Sequence, residues 1–406
     1  MPFVGDIIGA FMAMTLLHIL GRRTSLLLGH ILFIVPSVGV VAGLSPDREF
    51  YLIILIHMAT RYFLVTFPVY FAEVTNHWVR GPLISSRYFL YDTGHILATH
   101  AFEKSTMGCL VVVVLQLVSL GISTLLPETP YYLALTGNRD DAEAQYDWLR
   151  GGGADPDERE NMASRAEMDA EKAAGGMPIG VKTFLMPLMV ICCMELGVFG
   201  SIPITYYVQT SIEHIHYYRP YVDFDDVVLG VNRFIVREEF IMLTMKLFGI
   251  FLVGVLPRRI LYLSIALISM LCCTSYMYAG FNPQLIYQVV TAYKFIIFLG
   301  SEQLTHVSSA EIFPGLFRSF GISFSQIFRT GLDFMTLYTL HVPEYTDNYV
   351  LLSFGLIPFG FVMSFIFLPE TFGRTLEEAE DTAGYVILGL FKSFLVTDDD
   401  EAMAEE

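Results

Sequence analysis

Pro127 to Gly153 reads PETPYYLALTGNRDDAEAQYDWLRGGG. It is the first long polar break in an apolar chain, and it follows the uncharged run Met107 to Leu126. Its opening tripeptide returns as Pro369-Glu370-Thr371, again straight after an apolar run. Gly21-Arg22-Arg23, Glu73 and Arg80 precede the first tripeptide; Pro257-Arg258-Arg259, Glu311 and Arg318 precede the second. The arginine pair recurs after 236 residues, Glu and Arg after 238, and Pro-Glu-Thr after 242. Several motifs repeated in one order at nearly one offset mean two parallel halves joined by the quoted stretch. The expected parts are 1-126, an N-terminal half of five spans; 127-181, a linker with short helices; 182-368, a C-terminal half of six spans; and 369-406, an acidic tail.

The spans follow from composition. The 406 residues are 54% hydrophobic and 16% charged, where a soluble chain carries about a quarter charged residues. Thr24 to Leu44, Met107 to Leu126, Ile260 to Phe281 and Tyr349 to Leu368 hold no Asp, Glu, Lys or Arg. About 20 such residues, rising 1.5 Å each, cross about 30 Å of hydrocarbon. The reading is an all-α polytopic membrane protein with eleven helices, near 3-20, 24-44, 50-72, 83-102, 107-126, 182-212, 226-256, 260-281, 285-309, 319-341 and 347-368.

Arg22, Arg23, Arg80, Arg139, Arg150, Arg159, Arg165, Lys172, Arg258, Arg259, Arg318 and Arg374 fall on one side of that layout. Only Arg48, Lys104 and Arg219 face them. Positive loops mark the cytoplasmic side, so the linker and C-terminus are expected inside. Two spans precede Arg258-Arg259 but only one precedes Arg22-Arg23. The first half is therefore expected to lack its opening helix, read as an incomplete gene model rather than a true eleven-span protein.

A net charge of -17 argues against nucleic acid, whose phosphates need a basic face. Cys109, Cys192, Cys193, Cys272 and Cys273 all lie in apolar runs and read as packing residues. The chain shows no nucleophile elbow, phosphate loop or metal cluster, so neither enzyme nor cofactor is expected. In the linker, Asn138 is placed to cap a helix to Arg150, ended by Gly151 to Gly153. Asp155-Pro156-Asp157-Glu158 is a helix start.

Pro68-Val69-Tyr70, Glu73, Arg80-Gly81, Pro127 to Gly151, Tyr206-Tyr207, Glu311-Ile312-Phe313-Pro314 with Arg318, and Pro369 to Glu378 (PETFGRTLEE) span nearly the whole chain. Jointly they resemble a sugar porter of the major facilitator superfamily, most of all the arthropod facilitated trehalose transporters. The resemblance implies twelve helices with the first missing here, a solute cavity between two halves, alternating access and residence in the cell membrane. It implies a cytoplasmic gate of Arg22, Arg23, Glu73, Arg80, Glu128, Arg258, Arg259, Glu311, Arg318 and Glu370. Tyr206 and Tyr207 would stand at the outer gate, or form an aromatic belt at the interface.

The family holds its solute through amides and a tryptophan. Here Tyr88 stands at the family's Gln of the fourth span, and Leu196 to Ile202 keeps only Gly200 of its Gln-Gln-x-Ser-Gly-x-Asn. His306 replaces the tryptophan, and Arg329 falls near the family's Asn. None of those sugar ligands carries over.

Charges stand in the spans instead: Arg61, Asp92, Glu195, Arg233, Arg237, Glu238, Glu239, Lys246, Lys294, Glu302, Arg329 and Asp333. A charge at mid-bilayer costs about 2.5–3.5 kcal/mol, so each should face protein or water. Arg329 and Asp333 share a helix face and are expected to pair. Glu302 and His306 share that spacing; proton coupling, solute contact and plain structural pairing stay open. The cavity candidates are Tyr88, Asp92, Glu195, Tyr206, Tyr207, Glu302, His306, Arg329 and Asp333. Two functions follow: a facilitative transporter of a sugar or similar small polar solute, or a transport-incompetent, sensor-like protein keeping the fold. The lost amides favour the second; the duplicated charged set favours the first.

Overall fold

The computed structural model describes residues 2–43, 46–101, 106–151, 155–174, 181–199, 224–278, 289, 292–293, 295–297, 299–340 and 343–382. Five long helices come first: α1 (Pro2–Leu20), α2 (Arg22–Val41), α3 (Pro46–Val74), α4 (His77–Ala101) and α5 (Thr106–Ser123). Three short ones occupy the linker: α6 (Pro130–Leu135), α7 (Arg139–Leu149) and α8 (Pro156–Ala174). Then follow α9 (Val181–Phe199), α10 (Phe224–Val255), α11 (Arg258–Tyr278), α12 (Ser301–Ile312), α13 (Arg318–Leu340) and α14 (Pro343–Phe367). Among the described residues a helix lies within each expected span; the one expected at 285-309 is interrupted by a turn at Leu299–Gly300, and α12 begins at Ser301. By length and composition, Phe3–Leu20, Arg22–Val41 and Phe50–Val74 suffice among the described residues to cross a membrane.

The surface is inverted relative to a protein built for water. Phe11, Ile19, Val35, Leu115, Ile122, Phe251, Leu271 and Phe365 are exposed, while Arg22, Arg258, Glu311 and Arg318 are buried. Exposed apolar faces on this scale have hydrocarbon as their solvent, and only internally bonded helices survive there. Since lipid gives no hydrophobic drive between helices, close packing must hold them together. On α1, Gly5 and Gly9 lie one turn apart against α3, where a Cβ would meet the backbone carbonyls of Ile54 and Met58. The second half has its own such seam at Gly197 and Gly360, joining α9 to α14. Polar bonds add to this: His30 on α2 joins Gln116 and Ser123 on α5, each at 2.9 Å.

Within each half the helices pack on one another: α1 and α2 on α3, α2 on α5, α9 and α11 on α14. Across the seam, α4 meets α10 and α12, while α13 meets α1 and α3. The linker forms a layer whose core is Tyr131, Ala134, Ala142, Tyr146, Met162 and Ala166. Helix α6 was not expected; Thr129 caps it, with Pro130 in its first turn. Asn138 precedes α7 as expected but makes no side-chain cap bond. At α8, Asp155 accepts from the Asp157 amide at 3.0 Å. Glu158 does not reach back to complete a capping box; it accepts from the Tyr146 hydroxyl at 2.6 Å.

Candidate functional site

Gly21 takes φ 83 to end α1 and start α2 in one residue. Glu128 fits into that turn, accepting from the amides of Arg22 at 3.0 Å and Arg23 at 3.1 Å. The amides at a helix start have no partner within the helix and attract a carboxylate. Glu370 repeats the contact at α11, accepting from Arg258 at 3.0 Å and Arg259 at 3.1 Å. The second arginine of each pair turns to a helix end: Arg23 donates to the Thr124 carbonyl at 2.6 Å, Arg259 to that of Phe365 at 2.7 Å.

The first arginine of each pair faces the adjacent glutamate. Arg22 forks onto Glu73 through Nε at 3.1 Å and Nη2 at 3.3 Å, and Thr129 donates to Glu73 at 2.7 Å. In the other repeat, Arg258 Nη2 lies 3.1 Å from Glu311, and Thr371 donates to it at 2.6 Å. Then the repeats cross. Arg318 on α13 donates to Glu73 on α3 at 3.2 Å, and Arg80 on α4 lies 3.9 Å from Glu311 on α12. The expected ten-residue set thus gathers at one end of the helices, on the linker's side. Its centre is buried: Arg22, Glu73, Arg80, Arg258, Glu311 and Arg318 are closed off from solvent, with the Glu73 and Glu311 side chains 0% and 1% accessible. Interaction values for exposed pairs, about 0–1 kcal/mol, do not apply; removing one partner of a buried pair costs about 3–5 kcal/mol.

A strap covers this end. A short helix from residue 376 carries Glu380, which meets Arg318 at 3.2 Å and Arg165 of α8 at 3.3 Å. Asp381 adds a second contact to Arg165 at 2.9 Å. Burial pushes the Glu380 carboxyl up to about 8, with Glu377 and Asp169 adding to it and Arg318 and Arg165 pulling the other way.

Two or more turns deeper, polar side chains meet between the halves. Arg329 on α13 pairs with Glu195 on α9 at 3.0 Å, with Asp333 at 3.2 Å and with Glu302 on α12 at 3.5 Å. The expected Arg329–Asp333 pair is present. Glu302 and His306 take separate partners: Glu302 takes Arg329, and His306 meets Gln326 at 3.2 Å and the Tyr88 ring at 5.1 Å. Gln326 accepts from Arg61 at 2.9 Å, and Arg61 reaches Asp6 on α1 at 3.4 Å.

Tyr88, Glu195, Glu302, His306, Arg329 and Asp333 therefore converge, and the network ties α12 and α13 to α1, α3 and α4. Tyr206 and Tyr207 lie outside the described residues. So do Lys294 and the side chains of Asp92, Arg233, Arg237, Glu238 and Glu239. Asp6 and Arg87 belong to the network and were missed. The available signal was the same as for Arg61, a lone charge in an apolar run, and Arg87 follows Arg80 by two helical turns.

The profile of the family described as "Sugar (and other) transporter" matches residues 1–383. Over 393 residues the chain is 24% identical to the "Putative metabolite transport protein YfiG" of Bacillus subtilis, covering 89% of this chain and 77% of that one. It is 25% identical over 414 residues to the "Facilitated trehalose transporter Tret1" of Drosophila erecta, covering 94% of this chain and 45% of that longer protein. The backbone superposes with a TM-score of 0.69 on the proton:xylose symporter XylE bound to 6-bromo-6-deoxy-D-glucose. That alignment is 19% identical and covers 94% of this chain and 87% of the other.

Proposed function

We propose a mechanism on one premise: the chain belongs to the sugar (and other) transporter family, and its fold is that of the major facilitator superfamily. It is an integral membrane transporter of a sugar-like or similar small polar solute, and not an enzyme. The solute sits between the half at 1-126 and the half at 182-368. The two rock about it, so that one side opens as the other closes. The linker 127-181 and the tail face the cytoplasm, and the membrane is the cell membrane.

The observation that carries this reading is the crossed pair of bridges, Arg318 to Glu73 and Arg80 to Glu311. Each joins one half to the other using equivalent residues of the repeat. When the halves part, Glu73 keeps Arg22 and Thr129, and Glu311 keeps Arg258 and Thr371. No buried carboxylate is stranded; only the crossing arginines exchange a carboxylate for water. That keeps the cost within the few kcal/mol by which two conformations interconvert. The arrangement described here is the one closed on the linker side. A transport-incompetent sensor would have no use for two such bridges, and this reading is not favoured.

Uptake of labelled trehalose, glucose, xylose and polyols into vesicles holding the full chain tests it. Saturable, trans-stimulated flux of at least one is expected. A panel giving none would end the transport reading.

A further inference from the structure

We infer that the solute carries a carboxylate, so that the transported class is a sugar acid rather than a neutral sugar. This rests on the transport reading above. The argument starts from Arg87. It lies on α4, two turns and about 10 Å deeper than Arg80. It is 9% exposed. One nitrogen, Nη1, donates to the Leu64 carbonyl of α3 at 2.7 Å. Nε and Nη2 have no hydrogen-bond partner among the described residues. No carboxylate among the described residues forms a salt bridge with Arg87, whereas Arg22, Arg61, Arg80, Arg258, Arg318 and Arg329 each have one.

What Arg87 does have is a ring. Its guanidinium stands 4.6 Å from the centre of Tyr88, and the Lys246 ammonium stands 5.6 Å from the same centre. His306 packs on that ring from the other half. Two cations therefore share one aromatic ring at the seam. A cation–π contact contributes about 0.5–2 kcal/mol. Arg87 has no carboxylate on it among the described residues, and an uncompensated buried charge costs several kcal/mol. The ring cannot settle that difference, but an anion between the halves can. The free Nε and Nη2 suit a carboxylate, which accepts two parallel bonds from a guanidinium.

The rest of the network suits hydroxyls. Glu195 Oε1 is a buried acceptor with no donor among the described residues. Glu195, Glu302 and Asp333 crowd a single Arg329, so their oxygens outnumber its donors. A polyhydroxylated chain with an acid at one end matches both parts. It also accounts for Tyr88, His306 and Arg329 standing where the resemblance to sugar porters would call for amides and an indole.

D-Gluconate and sorbitol are the test pair, since they differ only at one terminal carbon, carboxylate against alcohol. Counterflow is measured in vesicles containing the full chain, for wild type, Arg87→Lys and Arg87→Gln, with surface-labelled protein as the folding control. The expected result is gluconate flux at least tenfold above sorbitol in wild type, a reduced preference in Arg87→Lys, and a ratio near one in Arg87→Gln. If Arg87→Gln does not reach the membrane, the wild-type ratio and Arg87→Lys decide. Equal or faster sorbitol flux in wild type overturns the proposal and leaves the transport reading standing. A gluconate preference unchanged in Arg87→Lys and Arg87→Gln also overturns it. Flux of neither, nor of any other solute tried, removes both.

Discussion

Arg318 donates to Glu73 at 3.2 Å, whereas its repeat partner Arg80 stands 3.9 Å from Glu311. The two bridges occupy equivalent places, yet only the first is a formed hydrogen bond. Arg318 is also held by Glu380, while among the described residues Arg80 donates to the Arg374 carbonyl at 3.5 Å.

The two arginines should therefore differ when neutralised. Arg318→Gln is expected to shift the protein toward the state open on the linker side more than Arg80→Gln does. A cysteine placed at Thr75, beside this end, reports the shift by its rate of modification. Equal rates in both variants would show that the asymmetry has no energetic weight.

Glu73→Gln removes the negative charge and one of the two acceptor oxygens that Arg22, Thr129 and Arg318 share. Leaving buried guanidinium groups unmatched costs about 3–5 kcal/mol. Arg22 and Arg258 lose their carboxylate in either state, so the part that falls on the closed state alone is the contact with the crossing arginine. Glu73→Gln and Glu311→Gln are therefore both expected to favour the open state while still reaching the membrane. Unchanged modification rates in both would refute the assignment of these glutamates to a gate.

The strap responds to pH. Docked, Glu380 has its carboxyl pushed up to about 8, chiefly by burial; released into water it returns toward 4.5. The docked form thus binds the proton more tightly. Docking gains as pH falls from about 8 toward 4.5, at no more than about 1.4 kcal/mol per unit, and has lost that gain above 8. A fluorophore on the tail should show release at pH 9 and docking at pH 6.5. Glu380→Gln should flatten the profile; a profile unchanged by it would assign the response elsewhere.

Gly9→Leu is expected to abolish assembly of the first half. Its Cβ would run into the Met58 carbonyl, a backbone atom that cannot step aside. Loss of surface protein without loss of synthesis is the readout. Normal levels would mean that α1 and α3 can separate at little cost.

The helices were legible because about 20 apolar residues have one stable form in lipid. The charged cluster was legible because it occurs twice. Burial was not: a sequence places Glu73 at a helix end, but only packing shows that Thr129 and Arg318 seal it from water. The central pairing went astray at Glu302 and His306, where spacing on one helix suggested a pair. Arg329 and Gln326, from a neighbouring helix, offered each of them a different partner. Arg87 escaped because Arg80, a motif residue, stands so near it in the chain.

Glu128 and Glu370 bind main-chain amides, not side chains. Each of these clasps belongs wholly to its own repeat, and neither has to let go during a cycle. The starts of α2 and α11 are thus braced from within their own halves. The bundles can swing as solid bodies, and the work of turnover is confined to the thin sheet of contacts where they touch.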